Sequence, residues 1–198
     1  MKRKHIIVLT LALLLVAGWT WRYVTMNAYY DSLVTTQKVT YRIGDVVPFE
    51  DDLGEWKTNL NGYSLRVDKF EVQDFDTYAE SIDFKPDESY IPGERVALLY
   101  ITLFNEDSDA DGVMLTDFQL RGVDTIIYLD WDLLTAANPV LGENYGMKLL
   151  PGTQCSIVLP HKLQKDYFGS WTWNHFGDYK LYFRVTVHPT EKIIEVQY

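Results

Sequence analysis

Arg95–Phe104, RVALLYITLF, is the stretch that decides the fold. Between its two end residues only Thr102 is polar, and Val96, Tyr100 and Ile101 are of the β-branched or aromatic kind that suits a pleated strand. A strand with one wet face alternates apolar and polar side chains, so a nearly unbroken apolar run is expected where both faces are covered. Arg95–Phe104 therefore reads as a central strand, covered on both faces or by a second sheet and an overlying loop.

Outward from this strand the same pattern of short apolar runs and Gly, Pro, Asn and Asp punctuation repeats. Lys38–Ile43 and Val46–Phe49 flank a Gly44-Asp45 turn. Tyr63, Leu65 and Val67 alternate with polar neighbours, after which the apolar phase slips by one to Phe70 and Val72, the mark of a β-bulge. Further strands are expected at Asp117–Gly122, Thr125–Asp130, Gln154–Leu159 and Tyr179–His188, with Ile193–Tyr198 as a closing edge strand. Leu133–Tyr145 is the least strand-like stretch and reads as a turn of helix or a long loop. Roughly seven to nine short strands of this kind predict an all-β fold, an antiparallel β-sandwich.

The first residues differ in kind. Lys2, Arg3 and Lys4 precede the uncharged run Ile6–Ala17, and apolar character continues to Val24, about 18 residues and enough to cross a bilayer core. Trp19, Trp21 and Tyr23 then resemble an interfacial aromatic belt. A cleaved signal peptide is the rival reading, but Val16-Ala17-Gly18 is a weak cleavage signal, so residues 1–26 are read as a membrane anchor, 27–37 as a stalk and 38–198 as the folded domain. Retention of positive charge on the cytoplasmic side places the N-terminus inside and the domain outside the cell.

Of the 198 residues, 18 are basic and 28 acidic. Four of the basic residues precede Met26, leaving 14 basic against all 28 acidic residues in the rest, a net charge of −14. A field of that sign repels nucleic acid, and no basic stripe offsets it. The 15% aromatic content argues against disorder. The single cysteine, Cys155, cannot form an internal disulfide, and its apolar setting suits a small buried hydrophobe.

Val96–Glu106, then Val113 with Asp117-Phe118-Gln119-Leu120, then Leu150-Pro151-Gly152 before a strand ending at Leu159-Pro160, together resemble the bacterial extracellular immunoglobulin-like domains of telokin-like or immunoprotective type. The resemblance covers about Tyr63 to Val187. It implies an immunoglobulin-like β-sandwich on the outer surface of a Gram-positive cell, held by a lipid or one membrane segment, and it implies no catalytic residue. The stretch around Leu133–Met147 and the Trp-rich segment near Trp171 depart from that pattern.

Three constellations could carry chemistry. Asp107, Asp109 and Asp111 alternate before Gly112, as in the start of a calcium loop, with the Val113 carbonyl as a fourth ligand. The EF-hand spacing then fails, because its twelfth position is Phe118. A solvated acidic loop is the favoured alternative; calcium as a cofactor predicts a higher melting temperature on its addition, the solvated loop none. Tyr167, Phe168, Trp171 and Trp173 form an aromatic cluster able to anchor a partner, although Trp171 and Trp173 would share one face of a strand and burial of at least one of them in the core is the favoured reading. Asp130 and Asp132 flank Trp131 and invite an acid/base reading, but such pairs are unavoidable in so acidic a chain. No G-x-S-x-G or Ser-x-x-Lys element and no paired histidine spacing is present, so no enzyme and no zinc site is expected. The expected function is a membrane-anchored extracellular binding module for a protein or cell-envelope component, with an immunity protein against an envelope-acting toxin or a calcium-dependent adhesion domain as alternatives.

Overall fold

A computed structural model describes residues 3–34, 37–56, 58–109, 112–142 and 145–197. The chain divides into two compact units, Met1–Thr36 and Gln37–Tyr198. The first holds one helix, α1 (Arg3–Val34), so the expected stalk continues the helix. Within it Leu9–Met26 is long and apolar enough to cross a membrane. Trp19 and Tyr23, four residues apart and thus on one helix face, stack with centroids 5.4 Å apart, while Trp21 lies on the far side.

The second unit follows the order β1 (Gln37–Arg42), β2 (Val46–Pro48), β3 (Tyr63–Asp74), α2 (Phe75–Ser81), β4 (Arg95–Asn105), β5 (Val113–Met114), β6 (Gln119–Arg121), β7 (Ile126–Ile127), α3 (Trp131–Ala137), β8 (Gly146–Met147), β9 (Thr153–Leu163), α4 (Ser170–Asn174), β10 (Leu181–Arg184) and β11 (Thr190–Val196). One sheet runs β1-β11-β10-β6-β7, a second β2-β3-β4-β9, and β5 pairs with β8. The fold is thus mostly β-sheet, in several sheets. Two expectations need correction. The ladders are antiparallel except β1 with β11, which is parallel, and this pairing makes the C-terminal strand interior rather than an edge. The domain is also not purely β: helices occupy Phe75–Ser81, Trp131–Ala137 and Ser170–Asn174. The first two begin at Asp74 and Asp130, whose carboxylates accept the Thr77 and Leu133 backbone N–H groups as N-caps.

β4 sits between β3 and β9 and explains its own composition. Ala97, Leu99, Ile101 and Leu103 face a core shared by the two large sheets, meeting Leu120, Phe183 and Ile194 of the other. Val96 and Leu98 point the opposite way, into a smaller core built with Phe75, Tyr78 and Ala79 of α2 and Leu133 of α3. Each fully buried side chain of this size contributes about 1.5–3 kcal/mol. Beyond Leu98 the outer face turns polar: Tyr100 Oη donates to Glu71 (2.6 Å), and Thr102 Oγ1 donates to Asp68 (2.5 Å). Asp68 is the extra residue of the expected bulge, which lies between Val67 and Lys69. Because of it, Tyr63, Leu65 and Val67 before the slip and Phe70 and Val72 after it all meet the same core.

Asn105 ends β4 for a reason visible in its bonds. Its amide donates to the Ser108 and Leu149 carbonyls (2.9 and 2.8 Å), and its Oδ1 accepts the Ser108 N–H (2.7 Å). Its own carbonyl accepts the N–H of Gly152, whose φ of +75° completes the Pro-Gly turn into β9. Cys155, half-buried, packs against the main core.

A buried cation joins the sheets. Lys192 of β11 reaches Asp52 (2.7 Å) and Glu50 (2.5 Å) and donates to the Pro48 carbonyl (2.7 Å) at the end of β2. Burial pulls its ammonium pKa down, but the hydrogen bonds and charges of Asp52 and Glu50 outweigh that and leave it raised. Asp52→Ala, which removes the buried one of this cation's two carboxylates and the acceptor of the Thr190 N–H, should cost about 3 kcal/mol in denaturant unfolding, whereas Asp52→Leu with Lys192→Met should cost clearly less.

Candidate functional site

A cleft of about 780 Å³ lies where the β6–β7 hairpin, the start of α3, the segment before β4 and the end of β9 meet. Its rims carry exposed rings: Tyr128 is 75% and Tyr167 62% exposed, with Ile91 beside them. Trp131 is half-buried between the main core and an edge-on contact with Tyr145 at 4.5 Å. A second hollow of about 430 Å³ shares Asp87, Tyr90 and Asp132 with the first and lies beside it.

Asp130 and Tyr90 organise the floor. Asp130 Oδ1 accepts the Leu133 N–H at 3.1 Å; Oδ2 accepts the Tyr90 hydroxyl at 2.8 Å and lies 3.5 Å from Lys162 Nζ. Lys162 also donates to the Ile91 carbonyl (2.9 Å) and sits 5.0 Å over the Tyr90 ring, which stacks on Phe75 at 5.9 Å. Asp130 therefore caps the helix and holds the tyrosine at once. Asp132 is exposed in the first turn of α3. The hairpin wall is fixed from behind: Tyr179 Oη donates to Asp124 at 2.7 Å and packs so closely on Gly122 that no Cβ fits there.

The predicted aromatic cluster divides. α4, not a strand, carries Trp171 and Trp173, so the two do not share a face. Trp173 and Phe168 are buried in the main core with ring centroids 6.0 Å apart, which corrects their reading as partner-binding residues. Trp171 is 70% exposed and stacks on His175 at 4.7 Å; Tyr167 is exposed on the cleft rim. Of the predicted calcium ligands, Asp111 lies outside the described residues. Asp107 and Asp109 follow β4 in the loop that Asn105 anchors, and Val113 is buried opposite Met147. Among the described residues no three acidic, His or Cys side chains come together as a metal centre. Sequence reasoning missed Tyr90, Tyr128 and Lys162, which come from separated segments; the legible trace was Tyr128, an aromatic at the wet phase of a strand.

Burial, then the hydrogen bond and charge of Asp130, then the charge of Asp132, raise the Tyr90 phenol, which stays a neutral donor. On β9 beneath the site, burial drives the His161 imidazole down to about 4, against a raising hydrogen bond with the Leu159 carbonyl. The unfolded chain then binds a proton near pH 6.5 that the native chain refuses down to about 4. This contribution is full above pH 6.5 and is lost as pH falls towards 4, by about 3 kcal/mol. Fully buried Asp117 acts oppositely: burial raises its carboxyl, the Trp56 N–H (2.9 Å) and Thr58 bonds lower it, and Glu55 adds to the rise, so it withdraws stability as pH climbs above its ordinary value. Unfolding free energies measured at pH 7 and pH 4 should show the deficit of His161→Gln relative to the parent shrinking by about 3 kcal/mol at the lower pH.

Residues 38–192 match the family model described as Domain of unknown function (DUF5028), and the chain belongs to that family. Among solved structures it is similar to the yjhA protein from Bacillus subtilis, at 12% identity and a TM-score of 0.45, over 78% of this chain and 98% of that one. It is also similar to a functionally unknown protein from Listeria monocytogenes EGD-e, at 12% identity and a TM-score of 0.42, over 79% of this chain and 89% of that one. No curated protein matches the chain.

Proposed function

We propose that the protein is a membrane-anchored, extracellular, non-catalytic binding module of a Gram-positive cell surface, an immunoglobulin-like β-sandwich whose aromatic cleft docks a protein or another envelope component. The observation that carries this reading is the combination of exposed Tyr128, Tyr167 and Ile91 around a cleft whose buried carboxylate is already committed to structure. Large rings with polar tips favour docking because they bury much apolar area while losing little side-chain freedom. The address is supported by Leu9–Met26 as a spanning segment, by Trp19, Trp21 and Tyr23 at its outer boundary and by the basic residues before it. Tethering makes weak docking effective by raising local concentration.

A photo-crosslinking residue placed at position 128 in intact cells should give a discrete adduct that the same residue at exposed Val140 does not. Equal labelling from both positions, or turnover of an envelope polymer by the purified chain, contradicts the proposal.

A further inference from the structure

We infer that the cleft receives an arginine side chain of a protein partner, its guanidinium held by the cleft's carboxylates and by the faces of the rim tyrosines. This names the occupant of the docking cleft and rests on that reading. Three carboxylates reach the cleft from separate elements: Asp87 from the segment before β4, Asp124 from the β6–β7 turn and Asp132 from the first turn of α3. A fourth, Asp130, is paired at 3.5 Å with Lys162, the cleft's one cation among the described residues. Four carboxylates against one ammonium leave an excess of three negative charges. Among the described residues no cationic side chain pairs with Asp87, Asp124 or Asp132.

Two of these anions are fixed in place by their own surroundings. Oδ1 of Asp87 accepts both the N–H (2.7 Å) and the hydroxyl (2.6 Å) of Ser89. Oδ1 of Asp124 accepts the Tyr179 hydroxyl at 2.7 Å and the Thr125 hydroxyl at 3.3 Å. Neither carboxylate spends its second oxygen in these bonds. The Ser89 hydroxyl holds the Asp87 carboxyl below the usual carboxylate range and the Tyr179 hydroxyl does the same for Asp124, so both are anionic at neutral pH.

The spread of the carboxylates selects the kind of cation. Among the described residues no three acidic side chains come together as a metal centre, so an extended organic cation is the better complement to walls around about 780 Å³. A guanidinium is planar and carries five donors, so it can stack on a tyrosine face while its edge meets carboxylates. The rings stand ready: Tyr128 and Tyr167 are exposed at the rim, and among the described residues neither stacks on another ring. Lys162 shows the same chemistry within the chain, its ammonium shared by the Asp130 carboxylate, the Ile91 carbonyl and the Tyr90 face. Rings as exposed as these, with Ile91 beside them, gain contact area from a surface broad enough to cover the rim, which a protein supplies. A basic protein surface is also attracted at longer range by a domain whose net charge is −14.

The test uses the full chain in phosphatidylcholine nanodiscs and three fluorescent leucine-containing peptides, identical except at two positions that hold arginine, its neutral isostere citrulline, or glutamate. The arginine peptide should bind, and citrulline or glutamate should each weaken binding by at least about tenfold. Asp132→Asn and Tyr128→Ala should each weaken the arginine peptide by about threefold or more, the former less so at high salt. Asp76→Asn, which removes an exposed charge of α2 outside the cleft, should leave binding unchanged. Equal binding of the arginine and citrulline peptides, equal losses from Asp132→Asn and Asp76→Asn, or no binding of the arginine peptide overturns the inference. A position-128 adduct in cells without arginine-peptide binding rejects this inference and leaves the docking reading standing; loss of both rejects both.

Discussion

Over Val96–Leu99, β4 meets protein on both sides, and the rest of the domain is arranged to keep it so. Ala97 and Leu99 require the opposing sheet; Val96 and Leu98 require α2 and α3. Removing either cover would expose a row of aliphatic side chains, each worth about 1.5–3 kcal/mol when buried. The demand stops at Tyr100, where hydrogen-bonded side chains take over the outer face, so short helices suffice as a roof.

The cleft is a by-product of that roof. α3 must lie over Leu98 to deliver Leu133, and its N-cap Asp130 therefore stands at the end of β9, where it meets Tyr90 from the α2–β4 connection and Lys162 from β9 itself. Tyr90 belongs to both structures: its ring packs on Phe75 and Phe84 under the roof, and its hydroxyl closes the cleft floor. The floor is thus tied to the core beneath it, while the hairpin forms the facing wall.

The strands were legible where one residue period carried the signal. Arg95–Phe104 announced a two-faced strand, and the slip from Val67 to Phe70 announced a bulge, because both follow from side chains alternating across a sheet. The parallel β1–β11 ladder was not legible, since strand direction depends on partners far apart in the chain. Trp171 and Trp173 misled because five residues hold both a two-residue and a helical period; burial of Phe168, Trp173 and Phe176 together settled it as helix. The cleft was hardest, being assembled from four segments, of which the sequence showed only the Asp130-Trp131-Asp132 triplet and the Tyr167-Phe168 part of the aromatic cluster, with nothing to say that they meet.

Amide hydrogen exchange on the full chain tests the central claim most directly, because it reports how covered each strand is. The account predicts the slowest exchange at Val96–Leu103, at the limit set by global unfolding, and exchange faster by orders of magnitude at Ile126. An Ile126 amide as protected as that of Leu99 would contradict it.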